Sequence, residues 1–441
     1  MKALISLAKK TERVFLIGLE LKSGSNWQVR ESMEELAELA ATAGGEVMGT
    51  GTQKLENPVA GTLIGSGKAR EFADFCRGHK VDTVVFDDEL SPAQSRNLED
   101  VFGCKVLDRT ALILDIFAQR ARTREGKLQV ELAQLQHLLP RLTRFWGHLS
   151  RQSGGIGMRG GEGESQLETD RRRVQERIER LTADLQDVRR HRATQRTGRR
   201  RQPWPMASIV GYTNAGKSTL LNALTGAHAL EEDKLFATLD PTTRRLRLPT
   251  NQNVFLTDTV GFIRKLPHGL VEAFKATLEE VAQADLLVHV VDAGHPQAAE
   301  QIAAVNTVLA EIGAAGKPTI MVFNKIDRLE ASNGLLAKFL EQYPNSVGLS
   351  AKTGEGLGGL IQELGTQLRP SRELVELAVP HGDSAVIARL HEVGQVLERD
   401  YTGKTARFKA RLSPHYRPEF AAYIVRPRKV SAGATARKGA G

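Results

Sequence analysis

A glycine-rich loop near the middle of the chain lies between two apolar runs and sharply restricts the available folds. The loop reads Gly211-Tyr-Thr-Asn-Ala-Gly-Lys-Ser218, follows the apolar residues 207–210 and opens into an apolar helical pattern. Glycines let backbone N–H groups curl around phosphate oxygens, the lysine bridges the outer phosphates, and the serine hydroxyl binds Mg²⁺. The pattern predicts a strand, a phosphate loop and a helix in a nucleotide-binding α/β fold. The predicted phosphate contacts are Gly211, Tyr212, Thr213, Asn214, Ala215, Gly216, Lys217 and Ser218.

A second motif, Asn324-Lys-Ile-Asp327, follows the apolar residues 319–323 and indicates which base is bound. The Asp327 carboxylate can accept from two adjacent donors of guanine, N1–H and the 2-amino group. Adenine offers no such pair and would leave the carboxylate unpaired, which is costly. Alone, the motif is typical of a helix cap; downstream of a phosphate loop it predicts guanine binding. The predicted base contacts are Asn324, Lys325, Ile326 and Asp327, with Ser350, Ala351 and Lys352 after the next strand.

Two segments between these motifs predict a magnesium site and a γ-phosphate sensor. In Asp258-Thr-Val-Gly261, the aspartate would orient a magnesium-bound water and the Gly261 N–H would contact the γ-phosphate. Residues 236–244, here called the switch segment, are expected to respond to the γ-phosphate, and Thr238, Thr242 and Thr243 are all candidate magnesium ligands. The other predicted contacts in these segments are Phe236, Ala237, Leu239, Asp240, Thr259 and Val260.

The position directly after Gly261 is Phe262, where Ras-like enzymes have the glutamine that orients the attacking water. We therefore assign no catalytic residue from the sequence. Intrinsic GTP hydrolysis is expected to be slow, and a partner or a bound cation must supply the missing group.

Apolar residues spaced alternately by four and three occur in two stretches, 128–149 and 174–188. Each is a coiled-coil seam, and together they predict an antiparallel helical hairpin. Residues 153–164, between the stretches, are rich in glycine. A stiff arm with small residues at its tip is suited to contact with folded RNA. The segment also carries arginines, which are equally typical of an RNA-binding surface and of a solvated helix face. These arginines are Arg144, Arg151, Arg159, Arg171, Arg172 and Arg173.

The predicted fold class is α/β. A P-loop G domain, with a mostly parallel sheet and helices on both faces, is preceded by a small α/β domain and the antiparallel helical hairpin, and is followed by a small α+β domain. The predicted domains are 1–118 (N-terminal α/β), 119–202 (hairpin arm), 203–371 (G domain), 372–428 (C-terminal) and 429–441 (disordered basic tail).

Two local predictions concern the ends of the chain. Residues 61–68 imitate a phosphate loop, but Ala69 stands where a Ser or Thr would hold magnesium, so a turn entering a helix is predicted. In the C-terminal domain we expect strands at 373–379 and 404–412, a helix at 384–399 and a short helix near Glu419.

Composition excludes several classes of protein. The two cysteines, Cys76 and Cys104, are too few for a disulfide framework, and no Cys/His spacing suggests zinc. No apolar run approaches membrane-spanning length. A cytoplasmic protein without integral membrane association is expected, and its net charge of +9 fits a polyanionic partner.

These motifs together resemble the HflX family of ribosome-associated GTPases. The resemblance covers about residues 12–370 and includes Phe236-Ala-Thr-Leu-Asp-Pro-Thr, Asp258-Thr-Val-Gly-Phe-Ile-Arg, and the glycine-rich loop continuing into Gln166-Leu-Glu-Thr-Asp-Arg-Arg172. In the family the glycine-rich loop reads Gly-Pro-Gly-Glu, whereas here it is Gly160-Gly-Glu-Gly-Glu164, without the proline.

The resemblance implies a monomeric factor that binds GTP or GDP and the large ribosomal subunit with its rRNA, and that separates stalled ribosomes. It implies Mg²⁺ held by Ser218 and Thr238, and a K⁺ ion supported by Asn214 in place of the missing catalytic group. A hydrophobic residue at position 262 agrees with the family.

Two other functions were weighed. One is a binding switch whose partner is a protein or a membrane surface and whose hydrolysis is incidental. The other is an RNA helicase-like activity with an ATP site in the N-terminal domain, against which the degenerate loop at 61–68 argues. Binding of a polyanion by the arm weakens steeply with salt, whereas binding through an apolar interface does not.

Overall fold

The computed structural model describes most of the chain in three sheets and a helical arm. The described residues are 11–22, 26–142, 162–199, 204–226, 235–236, 238–249, 252–264, 278, 280–329, 334–368, 373–403, 405–412 and 416–425. Residues 153–161 of the glycine-rich loop lie outside them, as do Arg144, Arg151, Arg159, Ala237 and the basic tail, whereas residues 162–164, predicted as loop, begin a helix. The predicted fold class is confirmed, and the domain boundaries stay predictions.

The N-terminal unit is a four-stranded parallel sheet in the order β2-β1-β3-β4, with helices packed on it. Its apolar strands are buried, as expected for a parallel sheet covered by helices. Its elements are β1 (Glu12–Leu21), α1 (Asn26–Thr42), β2 (Gly45–Leu55), α2 (Ser66–His79), β3 (Thr83–Phe86), α3 (Pro92–Phe102), β4 (Lys105–Asp108) and α4 (Arg109–Arg120).

Local sequence signals set the helix starts in this unit. Ser91 forms a capping box with Gln94, and Pro92 occupies the first turn of α3. The Asp108 carboxylate accepts from the Ala111 N–H at 2.8 Å and caps α4. The phosphate-loop imitation leads through turns into α2, as predicted.

The arm consists of α5 (Arg124–Leu142) and α6 (Glu162–Arg199), which pack side by side. Arg177 pairs with Glu131 at 2.7 Å across the two helices. Arg141, near the end of α5, pairs with Asp108 at 2.6 Å and so ties that helix back to the N-terminal unit. The predicted seam supplies the apolar contact between the helices, which consists of Leu128, Leu132, Leu135, Ile178, Leu181 and Leu185.

The G unit is a six-stranded sheet in the order β10-β9-β8-β5-β7-β6, parallel except for the edge strand β6. Helices α7 and α10 cover one face and α8 covers the other. Its elements are β5 (Met206–Gly211), α7 (Lys217–Thr225), β6 (Thr242–Arg247), β7 (Asn253–Asp258), β8 (Leu286–Asp292), α8 (Ala298–Glu311), β9 (Thr319–Asn324), α9 (Leu335–Gln342), β10 (Ser346–Gly348) and α10 (Leu357–Gln367).

The C-terminal unit differs from its prediction. It contains β11 (Glu373–Pro380), α11 (Ser384–Val393), β12 (Gln395–Thr402) and β13 (Thr405–Leu412), in the order β11-β13-β12. The predicted helix at 384–399 was wrong beyond Val393, because Gly394 ends it and residues 395–402 pair antiparallel with β13 across a turn at Gly403. The predicted short helix near Glu419 was also wrong, since residues 416–423 form turns.

One apolar core joins the N-terminal unit to the G unit. It includes Leu36, Ile113 and Phe117 from the first and Tyr212, Phe236 and Phe262 from the second. The N-terminal unit therefore packs directly on the segments around the phosphate loop. No helix among the described residues is long and apolar enough to cross a membrane.

A buried ion cluster lies beside this core. Arg109 is 1% exposed and donates to Asp87 at 2.7 Å and to Glu35. Ser32 also donates to Asp87 at 2.7 Å. The guanidinium of Arg109 pairs with both carboxylates, and these ion pairs offset the free-energy cost of burying the carboxylates.

Replacement of Arg109 tests this compensation. Arg109→Met should lower the free energy of unfolding by about 3–5 kcal/mol, because it leaves Asp87 buried without the guanidinium. Urea unfolding of the full chain, followed by circular dichroism, measures the change.

The matched control is Arg77→Met, which removes an exposed partner of Asp74. It should cost no more than about 1 kcal/mol. Equal losses in the two variants would contradict the proposed compensation.

Candidate functional site

The phosphate loop has a shape that only glycine permits at two positions. Gly211 has φ 150°, and a Cβ there would lie 2.2 Å from the Val290 carbonyl oxygen. Gly216 has φ 93°, and its Cβ would lie 2.3 Å from Nδ2 of Asn324. The loop thus passes close against β8 and the end of β9, and it leads the chain into α7 at Lys217.

Lys217 is buried in the loop. It is 6% exposed, and its Nζ donates to the Tyr212 carbonyl at 2.6 Å. Burial lowers its pKa to about 8 and the positive charge of Lys325 adds to this effect, while Asp258 opposes it. Because the Lys217 ammonium has little contact with water, an anionic ligand would stabilise its charged form.

A cluster of oxygen atoms lies at the start of α7. The Ser218 hydroxyl donates to Asp258 Oδ2 at 2.7 Å and lies 2.8 Å from Oγ1 of Thr238. Asp258 is 1% exposed, and its Oδ1 is buried with no hydrogen-bond partner among the described residues. Burial raises the pKa of Asp258, although Lys217 and the hydroxyls act against the rise. Hard oxygen donors around an unsatisfied carboxylate oxygen fit a Mg²⁺ ion.

The structure distinguishes the three candidate threonines. Thr238 is the one in contact with Ser218. Thr242 and Thr243 lie in β6, where they pair with Asp258 and Thr257 in the ladder with β7. The Thr243 hydroxyl lies 3.0 Å from that of Thr257, whereas the Thr238 hydroxyl meets Ser218 in the oxygen cluster.

The side chain of Asn324 links the loops at the other end of the site. Its Nδ2 donates to the Ala215 carbonyl at 2.8 Å, and its Oδ1 accepts from the Ala351 N–H at 2.9 Å. It is 2% exposed. Asn324 therefore holds the phosphate loop and residues 350–352 in fixed relation.

Asp327 and Lys325 lie beside this link. Ser350 donates to Oδ1 of Asp327 at 2.6 Å, and this hydrogen bond lowers the pKa of Asp327. The exposed Asp327 is therefore an ionised acceptor at neutral pH. Lys325 donates to the Asn214 carbonyl and pairs with Asp292, both at 2.7 Å.

The remaining predicted contacts lie around the same edge of the sheet. Tyr212, Thr213, Ala215, Phe236, Leu239, Thr259 and Val260 are buried, Ile326 and Asp240 are half-buried, and Asn214 and Lys352 are exposed.

Phe262 follows Gly261 and is 1% exposed in the core shared with the N-terminal unit. Its backbone pairs with that of the phosphate loop, since its N–H donates to Gly211 at 3.1 Å and its carbonyl accepts from Thr213 at 2.8 Å. Position 262 therefore places no polar side chain beside the phosphates.

Sequence reasoning missed the contacts that the N-terminal unit makes with this site. The Tyr212 hydroxyl donates to Glu35 and accepts from the Arg264 N–H at 2.8 Å. Arg264 in turn pairs with Glu31 at 3.3 Å. Glu35 precedes Tyr212 by 177 positions, and no spacing rule connects residues so far apart.

Helix α1 and the phosphate loop enclose a cavity of about 350 Å³. Glu31, Glu35, Asn214 and Lys325 are among its lining residues. The N-terminal unit thus borders the phosphate loop on the side of Tyr212 and Asn214.

Three family models match the chain in succession. They are described as GTP-binding GTPase N-terminal (residues 30–118), GTP-binding GTPase Middle Region (120–199) and 50S ribosome-binding GTPase (206–325).

Named relatives of the chain agree with these matches. GTPase HflX of Caldanaerobacter subterraneus subsp. tengcongensis is 47% identical over 422 residues, 95% of each chain. GTPase HflX of Escherichia coli K12 is 49% identical over 373 residues, 84% of this chain and 87% of that one. A GTP-binding protein from Sulfolobus solfataricus in complex with GDP is 26% identical, with 81% of this chain and 98% of that chain covered and a TM-score of 0.43. The chain hydrolyses GTP and belongs to the HflX family of ribosome-associated GTPases.

Proposed function

We propose that the chain uses its GTP-bound state on the large ribosomal subunit to split or rescue stalled ribosomes, and that the ribosome stimulates hydrolysis. The observation that carries the proposal is the burial of the apolar Phe262 directly after Gly261. Without a water-orienting side chain at that position, turnover depends on a group supplied from outside. Dependence on a partner suits a factor that must hold GTP until it reaches its target.

In the phosphate half of the site, Lys217 contacts the outer phosphates and the Gly261 N–H contacts the γ-phosphate. The hydroxyls of Ser218 and Thr238 would hold Mg²⁺, and Asp258 would orient a water on the ion. When bound, Mg²⁺ would supply positive charge for the phosphate oxygens. The contact between Ser218 and Thr238 supports this assignment, because it brings the two proposed ligands together.

In the base half of the site, Asp327 accepts from guanine, Asn324 and Ala351 fix the surrounding loops, and Lys325 covers the ring with its methylenes. The hydrogen bond from Ser350 supports this role because it favours the ionised form of Asp327. An ionised acceptor matches two adjacent donors of guanine.

Asn214 is the proposed support for a K⁺ ion near the phosphates. It lies at the exposed tip of the phosphate loop with φ 59°, and its carbonyl accepts from Lys325. The fixed backbone presents the side chain outward, where a cation can replace the missing catalytic group.

The arm is the proposed contact with rRNA. Arg171, Arg172, Arg173, Arg177 and Arg180 are exposed on α6. Guanidinium groups on a stiff helix suit phosphate contacts with folded RNA. This binding should weaken steeply with salt, which separates it from an apolar protein interface.

The direct test measures GTP hydrolysis with and without purified large ribosomal subunits, in potassium and in sodium buffer. Large subunits should raise the rate by about tenfold or more, a modest part of the gain that partner-supplied groups give other GTPases. Potassium should support a faster rate than sodium.

Reversal of Arg171, Arg172 and Arg173 to glutamate should reduce the stimulation by large subunits and leave nucleotide binding intact. Arg77→Glu, on the exposed face of α2, is the control. Stimulation that persists in the arm variant would give the arm another role, and a rate unaffected by large subunits would refute the proposal.

The lowered pKa of Lys217 predicts proton uptake on GTP binding. In the free protein the ammonium loses its proton as pH rises through about 8, and the anionic phosphates raise the pKa again. Binding at pH 9 should therefore take up a proton, whereas binding at pH 6.5 should not. Titration calorimetry in two buffers of different ionisation enthalpy measures this.

Lys217→Arg is the control, because a guanidinium stays protonated at both pH values. Uptake that remains in this variant would show that another group titrates.

Asp327→Asn tests the choice of base. The amide N–H can donate to the 2-oxo group of xanthine, where guanine donates instead, so preference should shift toward xanthine nucleotides. Competition between GTP and xanthosine triphosphate measures the shift, and Asp74→Asn, an exposed residue of α2, is the control. An unchanged preference for guanine would exclude Asp327 as the selector.

A further inference from the structure

We propose that Asp240 is a positioning residue that favours the GTP-bound state over the GDP-bound state. It fastens the switch segment to Arg122 and Thr123, directly before α5, and thereby holds Thr238 where the triphosphate state requires it. The inference rests on the proposed role of Thr238 at the magnesium ion.

The Asp240 carboxylate lies against the start of the arm. Its Oδ2 accepts from the N–H groups of Arg122 and Thr123, both at 2.9 Å. Its Oδ1 accepts from the Thr123 hydroxyl. Charge-assisted hydrogen bonds at the positive end of a 19-residue helix are favourable. Asp240, in the switch segment, thus places a negative charge at the N-terminus of α5, a helix that begins more than a hundred positions earlier in the chain.

Gly126 shows how closely the two segments approach. A Cβ at this position would lie 2.5 Å from Oδ1 of Asp240 and 3.1 Å from Oγ1 of Thr123. The Gly126 N–H also donates to that hydroxyl at 2.9 Å. Glycine is unfavourable inside a helix, and its place here is explained by the carboxylate above it.

The switch segment is attached on the other side of Thr238 as well. The Phe236 ring packs edge-on against Phe117 of α4, with 4.7 Å between ring centroids. Phe236 is 2% exposed and has φ 54°, a backbone conformation that a bulky residue adopts only when its surroundings impose it. The shared core thus fixes one side of Thr238, and Asp240 fixes the other.

These two attachments have a specific consequence for nucleotide affinity. A free loop loses conformational entropy when its threonine joins the magnesium shell, whereas a loop already held in place loses less. This ordering of the loop does not strengthen GDP binding, because the switch threonine responds to the γ-phosphate, which GDP lacks. The Asp240 contact therefore favours the triphosphate over the diphosphate.

The same coupling works in reverse. Coupling between two binding events is reciprocal. If GTP stabilises the present position of the start of α5, a partner that holds that position strengthens GTP binding relative to GDP binding by the same factor. Contact between the arm and its partner can thereby reach Thr238 through Asp240.

The test compares affinities of the full chain for GDP and for guanosine 5′-(β,γ-imido)triphosphate, both with Mg²⁺, by titration calorimetry. Asp240→Asn should weaken binding of the triphosphate analogue by about fivefold, which corresponds to about 1 kcal/mol. Its affinity for GDP should stay within about twofold of the original. Asp74→Asn, the same chemical change on α2, should alter neither.

Three further variants change the arm side of the contact and test the proposal if Asp240→Asn fails to fold. Thr123→Val removes the hydroxyl and should reproduce the selective loss, whereas Thr123→Ser retains the hydroxyl and should restore the original affinities. Gly126→Ala, which favours the helix but displaces Asp240, should also lose affinity selectively for the analogue.

Equal losses for both nucleotides, or no loss in any variant, would overturn the positioning role. If the original chain itself fails to distinguish the analogue from GDP, the proposed role of Thr238 at the metal fails instead. The two failures are therefore distinguishable in one set of titrations.

Discussion

The site depends on two opposite charges that the fold holds away from water. Lys217 and Asp258 are both almost completely buried, and burial moves each pKa toward the neutral form. Burying two such charges costs free energy unless each group has further hydrogen-bonding or charged partners. A polyanionic nucleotide would satisfy the ammonium, and a hard cation would satisfy the unpaired oxygen of the carboxylate. The glycines of the phosphate loop, whose conformations other residues rarely adopt, and the link through Asn324 keep these groups in place.

The N-terminal unit and the arm extend this arrangement beyond the G unit. Tyr212 of the phosphate loop hydrogen-bonds to Glu35, which also meets the buried guanidinium of Arg109. The switch segment reaches the arm through Asp240 and the N-terminal core through Phe236. Each of the segments expected to sense the nucleotide is thus supported by residues far earlier in the chain. A change of shape at the nucleotide has a direct physical route to the surface proposed to contact RNA.

Local sequence patterns predicted the parts of the structure that local forces determine. The phosphate loop, the capped helices and the apolar seam of the arm follow from spacing and from residue type. The C-terminal unit was predicted less well, because the strand at 395–402 has no clear alternation and forms only through pairing with β13. The contacts of Glu35 and Asp240 could not be predicted, since they join surfaces brought together by the tertiary fold. The sequence left Thr238, Thr242 and Thr243 as alternative magnesium ligands. In the fold Thr238 contacts Ser218, whereas the other two lie in β6.

The apolar core shared by the two units also affects how the chain folds during its own synthesis. Phe117 of α4 packs on Phe236, which is 119 positions later in the chain (236 minus 117). At a translation rate of about 5–20 residues per second, that side of α4 waits roughly 6–24 s for its partner. The nascent N-terminal unit therefore exposes the apolar ring of Phe117 throughout this interval. Slow elongation would therefore lengthen its exposure to aggregation and to chaperones.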